Sequence, residues 1–267
     1  MSIIKKIVKK IALLKGIYRL YSSISPFFRC RPLKIIKMMS WYFKDYFKFK
    51  TMARNYNLKQ LYFKDIYPCL TDNTEYTPID PVYFFQDSWA AKKIFELKPD
   101  HHYDIGSSVK TIGIISQFVP VTMIDIRPLE LELENLFFLK GSILNIPFES
   151  NSIKTLSCLC VAEHIGLGRY GDSIDPLGSE KAIKELKRVL KTEGIILFSI
   201  PVDSENKIYF NAHRAFTREY ILELFDGFCL IEEKYIYGNK IYCSYDKNKG
   251  FGTGLFMFKK GGNKNVY

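Results

Sequence analysis

Residues 101–125 read HHYDIGSSVKTIGIISQFVPVTMID. A short apolar run around Asp104 ends at Gly106 and two small residues, Ser107 and Ser108. A helical pattern then extends from about Val109 to Phe118, Pro120 stops it, and Val121 to Ile124 forms a second strand that finishes on Asp125. Strand, tight turn, helix, strand is the opening of a parallel βαβ unit. A turn of small residues lets the backbone approach a nucleotide, and an acid about 20 residues further on can take two hydrogen bonds from ribose hydroxyls. Asp104 and Asp125 are 21 residues apart. An acid-glycine turn alone is more often an ordinary connection; the second acid at this spacing reverses that in favour of a cofactor site.

Downstream the alternation continues. A helix is expected from Pro128, which suits a first turn, through Leu129, Leu131, Leu133 and Leu136, then a third strand over Phe137 to Lys140. Gly141, Ser142 and the loop 145–148 lead to a buried strand, Ser152 to Val161, which runs into Glu163 and His164. Glu180 to Lys191 is amphipathic, Gly194 stops it, and Ile195 to Ile200 is a fifth strand. Thr217 to Phe225 reads as helix, Phe228 to Tyr237 and Gly254 to Lys259 as strands, and Lys247 to Gly250 as a mobile loop. Such alternation gives a parallel sheet covered by helices on both faces. Upstream, Val82 to Leu97 has helical spacing and would cover one side of the cleft.

The 267 residues accommodate one large α/β domain with an appendage, and we place the boundary between residues 1–70, a basic aromatic helical extension, and 71–267. The net charge of +11 is uneven: residues 1–50 hold 13 Lys or Arg and one acid, Asp45, so the rest is nearly neutral. No nucleic-acid partner is expected, since the basic excess does not cross the fold. Residues 3–18 put Ile3, Ile4, Ile7, Val8, Ile11, Leu14 and Tyr18 opposite Lys5, Lys6, Lys9 and Lys10. Lysines interrupt every apolar run, which speaks against a secretory signal or a spanning helix. Residues 1–20 suit either an anionic membrane surface or packing on the domain. From Phe27 to Phe63 aromatic and basic residues interleave, which we read as a helix docking its aromatic side on the core or on lipid rather than stacking bases. Six scattered cysteines, with Cys158 and Cys160 in one apolar strand, frame neither disulfides nor a metal site. We therefore expect a cytoplasmic protein, peripheral at the inner face of a membrane if the amino-terminal helix binds lipid.

These residues together resemble a class I S-adenosylmethionine-dependent methyltransferase. The resemblance rests on Asp104-Ile105-Gly106, Asp125, the loop Asn145 to Phe148, Glu163-His164 and the run Glu185 to Lys191 with Gly194, and covers residues 80–260. Within that superfamily, residues 163–172 and 210–214 look like a little-characterised subfamily first grouped from nematodes, with similar proteins among bacterial surface-polysaccharide proteins. The resemblance implies a Rossmann-like sheet of seven strands with the last antiparallel, and S-adenosylmethionine over the carboxyl ends of the first strands. Asp104, Gly106 and Ser107 would meet its methionine part, Asp125 its ribose, and Ser142 and Ile143 its adenine. Ser108 stands where a second glycine is common, and Ser142 where an acid often lies.

Transfer to a hydroxyl needs a base, and the candidates are His164, Asp172 and His213. Arg169 and Arg214 suit a phosphate or carboxylate on the acceptor, and Tyr170 joins Arg169 and Asp172 in a polar lid. His101 and His102 read as surface or capping residues. The acceptor expected is a hydroxyl of a sugar or a lipid-linked glycan in surface-polysaccharide biosynthesis. Two rivals stand: a non-catalytic scaffold that keeps the fold, and a nicotinamide-dependent oxidoreductase, against which Gly106 lacks the further glycines of that fingerprint.

Overall fold

The computed structural model describes residues 32–56, 69, 70, 72–127 and 129–261. The chain divides into two compact units, 1–78 and 79–267. In the first, α1 (Pro32–Asn55) begins on a proline, whose missing N–H costs nothing in a first turn. The interleaved aromatic and basic pattern is thus helical over these residues, while the helix expected over 3–18 lies outside those described. Among the described residues no helix is long and apolar enough to cross a membrane.

The second unit is built on an eight-stranded sheet in the order β3-β2-β1-β4-β5-β10-β8-β9. Its strands are β1 (His102–Ile105), β2 (Val121–Asp125), β3 (Leu136–Lys140), β4 (Ile153–Leu159), β5 (Leu190–Val202), β8 (Phe228–Tyr237), β9 (Lys240–Tyr242) and β10 (Gly252–Lys260). The first five pair in parallel, and β10 runs antiparallel to both β5 and β8. The chain steps outward from β1 through β2 to β3, then returns to place β4 on the other side of β1. A crevice opens at the carboxyl ends of strands where the winding reverses in this way.

Helices α2 (Pro81–Leu97), α3 (Val109–Ile115), α4 (Gly178–Val189) and α5 (Arg218–Leu224) complete the unit. Local chemistry fixes their starts. Asp80 caps α2 by accepting the Val82 N–H at 2.9 Å, and Thr217 caps α5 by accepting the Tyr220 N–H. The core forms two clusters. One, around Trp89, Ile94, Ile112, Ile115, Met123 and Leu255, includes the buried faces of α2 and α3; the other, around Ile183, Leu186, Phe198, Ile221 and Phe225, includes those of α4 and α5. Each fully buried aliphatic side chain stabilises the fold by about 1.5–3 kcal/mol.

Several expectations are corrected. Residues 129–135 form no helix. Leu129, Leu131 and Leu133 recur every second residue, which gives no helical face, and Asn135 takes a left-handed φ of 59° before β3. The strand before His164 ends at Leu159, because Cys160 has φ 54°. His102 is buried in the sheet, with Nε2 2.9 Å from Ser157 Oγ, and burial pushes its imidazole down to about 3. His101 packs against Tyr103 and Phe137. Residues 247–249 form a 3₁₀ turn within the connection from β9 to β10. Two hairpins were not foreseen: β9 extends the sheet, and β6 (Lys207–Tyr209) pairs with β7 (His213–Ala215) apart from it.

Candidate functional site

The acid-glycine turn lies where β1 meets the crevice. Gly106 has φ +64°, and its N–H donates to the Ile124 carbonyl at 2.9 Å. A Cβ there would stand 3.2 Å from Val161 Cγ1 and 3.8 Å from Asp125 Oδ2, so glycine keeps the gap between β2 and β4 open. Asp104 is wholly buried beneath this gap. Its Oδ1 accepts the Ser107 N–H at 3.0 Å, and its Oδ2 accepts the hydroxyls of Ser107 at 2.6 Å and Ser157 at 2.5 Å. Burial pushes this carboxyl up to about 6, against the pull of the three hydrogen bonds. Ser107 in turn accepts the Leu159 N–H at 3.1 Å. Asp104 and Ser107 therefore lock the turn to β4 from below, and Gly106 is the member of the trio that lines the cleft.

The cleft is open and encloses about 640 Å³, counting the solvent at its mouth. Its lining includes Asp125, Ile126, Arg127 and residues 141–144. Asp125 ends β2 and accepts the Arg127 N–H at 2.8 Å, with the Arg127 guanidinium 3.4 Å from each carboxylate oxygen. Ser142 is turned to its own loop, accepting the Leu144 N–H at 3.2 Å, and Ile143 supplies an apolar wall. Behind this loop Glu185 accepts the Ile146 N–H at 2.9 Å, and Arg188 donates to the carbonyls of Ile146 and Phe148 at 2.9 Å each. The Glu185-Arg188 pair, bonded at 2.7 and 2.8 Å, thus braces the wall from α4.

Cys160, Val161, His164, Ile165, Tyr170 and Asp172 also line the cleft. His164 closes a 3₁₀ turn, Ala162–His164, directly after β4. Its Nδ1 lies 2.6 Å from the Ala212 carbonyl, which can only accept, so the proton is assigned to Nδ1 and the lone pair to Nε2. Burial, with Arg169 and His213 adding to it and the Ala212 bond opposing, pushes the ring down to about 4. Arg169 Nη1 donates to the Ala212 carbonyl at 3.1 Å and stands 3.2 Å from His164 Nδ1 and 3.5 Å from its Nε2. Tyr170 packs edge-on to His164 at 5.6 Å and carries two guanidinium groups near its ring, Arg127 at 4.9 Å and Arg169 at 5.1 Å.

Other expected residues have different surroundings. Asp172 Oδ2 accepts the Gly166 N–H at 2.6 Å and Oδ1 the Tyr170 N–H at 3.3 Å, so this carboxylate holds the loop it belongs to. Arg214 is buried; its Nη groups donate to Ser179 Oγ and the carbonyls of Ile165, Asp175 and Pro176, while its Nε has no partner. It ties the 165–176 loop to β7 and is closed to an acceptor. His213 stacks with Tyr209 and Phe251, near enough to His164 to affect its charge. Arg127, Cys160 and Val161 line the cleft and were not foreseen; Arg127 stands two residues past Asp125, the usual place for a side chain that closes over a strand end.

These residues fit an adenosyl group. Asp125 offers two acceptor oxygens at the end of β2, Ile126 and Ile143 offer apolar surface to a flat base, and Gly106 leaves the passage between them and His164 clear.

A family model described as "Caenorhabditis protein of unknown function, DUF268" matches residues 148–241, which include both runs, 163–172 and 210–214, that carried the subfamily resemblance. No curated protein sequence matches the chain. Among solved structures, the [4+2]-cyclase SpnF is 14% identical, over 66% of this chain and 81% of its own, with a TM-score of 0.50. A candidate sarcosine dimethylglycine methyltransferase from Galdieria sulphuraria is 16% identical, over 67% and 86%, with a TM-score of 0.49. The 1,6-didemethyltoxoflavin-N1-methyltransferase of Burkholderia thailandensis, solved with its substrate and S-adenosylhomocysteine, is 12% identical, over 71% and 94%, with a TM-score of 0.47. The order β3-β2-β1-β4-β5-β10-β8 with β10 antiparallel is the Rossmann-like methyltransferase sheet that the resemblance implied, and the likeness to SpnF is a likeness of fold. Since SpnF is a cyclase, chemistry has to be argued from the cleft.

Proposed function

We propose that the protein is an S-adenosylmethionine-dependent methyltransferase acting on a hydroxyl, and that its acceptor is a sugar, free or lipid-linked, in surface-glycan synthesis. The observation that carries the reading is the pairing, in one cleft, of Asp125 at the end of β2 with His164 after β4, across the open passage at Gly106. When bound, the cofactor supplies a methyl group on a positively charged sulfur, ready for in-line displacement. Asp125 would hold the ribose, Ile126 and Ile143 the base, and the backbone at Gly106 the methionine part.

An alcohol is a weak nucleophile while protonated, and His164 is suited to take its proton. The imidazole is neutral, its Nδ1 is committed to Ala212, and Nε2 keeps a lone pair. Arg127 and Arg169, which lie over the Tyr170 ring, suit an anionic group such as a phosphate on the acceptor. Methyl transfer is favoured over hydride transfer because Gly106 is not followed by the further glycines of the nicotinamide fingerprint. The basic amino-terminal segment supports a place at an anionic membrane, where a lipid-linked acceptor would be met.

Thermal unfolding in parallel with S-adenosylhomocysteine, S-adenosylmethionine and NAD tests the cofactor. At about a hundred times its dissociation constant a ligand adds about 2.7 kcal/mol, a rise of roughly 5–10 °C for a domain of this size. A rise with the two adenosyl-sulfur ligands alone is expected, and no rise with either overturns the reading. Flotation with vesicles containing phosphatidylserine, with and without residues 1–20, tests the membrane; equal binding by both proteins would remove that element.

A further inference from the structure

Glu163 is the buried group that the reading above does not use. It is 2% exposed, and its Oε2 has no hydrogen-bond partner although no water reaches it. Its Oε1 lies 3.6 Å from His164 Nε2, the ring nitrogen left with a lone pair once Nδ1 is tied to Ala212. A glutamate kept only for packing would gain from being an apolar residue of similar size, since an orphaned oxygen in the core is costly. Its place one bond-length short of contact with the proposed base, beside the wall of the cleft, gives it another role.

We propose that Glu163 is a positioning residue that acts through His164: its carboxylate beside Nε2 favours the imidazolium that forms when Nε2 takes the acceptor's proton. The proposal rests on the methyltransferase reading. In the step concerned, the acceptor's O–H bond breaks, its electron pair stays on the oxygen, and the proton joins the Nε2 lone pair. The imidazolium so formed donates from Nδ1 to the Ala212 carbonyl, and the Glu163 carboxylate 3.6 Å from Nε2 offsets its charge without taking the new N–H. The working form is therefore the one in which Glu163 has already lost its proton.

The surroundings set when that happens. Glu163 faces Cys158 and Cys160 from the end of β4, His164 and Arg169 from the loop that follows, and the Tyr83 phenol from α2. Burial is the largest influence and pushes the carboxyl up to about 8, with Cys160 and Arg169 opposing. His164 is held down to about 4. Near neutral pH the pair thus carries one titratable proton, on Glu163, and the two groups titrate as a unit.

Nitrogen NMR of the ligand-free protein labelled at histidine tests this, and with only four histidines the signals can be assigned by substitution. In the wild type, His164 should stay in the Nδ1–H form, uncharged at pH 6, and its Nε2 signal should move in a step centred near pH 8 as Glu163 ionises. Glu163→Gln should abolish the step, and Glu163→Asp should retain it at a shifted midpoint. No step in the wild type, or an unchanged step in Glu163→Gln, overturns the proposal. Unaltered signals from His102, buried in the sheet, show that a variant is folded; should Glu163→Gln not fold, the wild-type titration decides alone. Failure of S-adenosylhomocysteine to raise the melting temperature of the wild type would instead remove the methyltransferase reading, whatever the histidine signals show.

Discussion

The guanidinium of Arg127 lies along the carboxylate of Asp125, 3.4 Å from each oxygen, while it also sits 4.9 Å from the centre of the Tyr170 ring. The side chain proposed to receive ribose is thereby occupied by the neighbour that reaches toward the acceptor end. Two ribose hydroxyls and this guanidinium compete for the same oxygens. Asp125→Ala should weaken S-adenosylhomocysteine by at least about tenfold, since hydrogen bonds to a charged group contribute about 1.5–3 kcal/mol each. Arg127→Ala should tighten it and flatten its dependence on salt. Calorimetric titration at low and high ionic strength checks both, and a weaker complex in Arg127→Ala would show that the arginine helps to bind the ligand.

His164→Ala should remove turnover and leave S-adenosylhomocysteine affinity nearly unchanged, because the imidazole follows β4 while the proposed ribose ligand, Asp125, ends β2. A general base contributes roughly 10²–10⁴-fold in rate. The check is a radiolabelled methyl assay against a panel of sugars and sugar phosphates, beside a binding titration. Equal loss of both properties would make the ring a structural one.

The loop that carries Arg169 and Tyr170 depends on glycine at one position more than at another. Gly166 has φ +81°, and a Cβ there would run into the Asp175 carbonyl oxygen, whereas Gly171 has φ +82° and open space around it. Gly171→Ala should cost only the backbone penalty of about 1–2 kcal/mol. Gly166→Ala should cost about 3 kcal/mol or more, since the loop backbone has to move as well. Urea unfolding of both variants decides, and equal costs would mean that the two loop strands are not held as closely as they stand.

Stability should respond to pH in two opposed ways. His102 is held down to about 3, below its ordinary 6.5, so under pH 6.5 the unfolded chain takes up a proton that the fold refuses, and stability falls as the pH drops. Glu163 is held up to about 8 from 4.5, so between those values the unfolded chain has lost a proton that the fold keeps, and stability falls as the pH rises. Glu163→Gln should flatten the alkaline limb and His102→Gln the acid one. Melting temperatures from pH 4 to 9 would show it, and an alkaline limb unchanged in Glu163→Gln would place its origin elsewhere.

The sheet was legible in the chain because its signals are local. Asp104-Ile105-Gly106, the acid 21 residues on and the apolar runs of β4, β5, β8 and β10 are set by period and by residues that tolerate a turn. Where a signal was shared between two conformations, reading failed. The leucines before β3 suggested a helix, yet their spacing of two and the left-handed Asn135 make an extended connection. His102 looked exposed because two adjacent histidines are polar; pairing of β1 with β4 buries its ring against Ser157.

Sequence by itself determined the βαβ order, the turn at Gly106 and the types of residue available for chemistry, since these follow from backbone preference and hydrophobic period. Only tertiary structure decided which of them face the cleft. Asp104, Arg214 and Asp172 share the chemistry expected of a site, but their partners come from segments that fold against them: Ser157, the carbonyls of Ile165, Asp175 and Pro176, and the Gly166 amide. His164 differs because the β6-β7 hairpin brings one acceptor, the Ala212 carbonyl, to one nitrogen and leaves the other with a lone pair. A side chain's type fixes how many hydrogen bonds it can make, and the packing of distant segments fixes how many remain for a ligand.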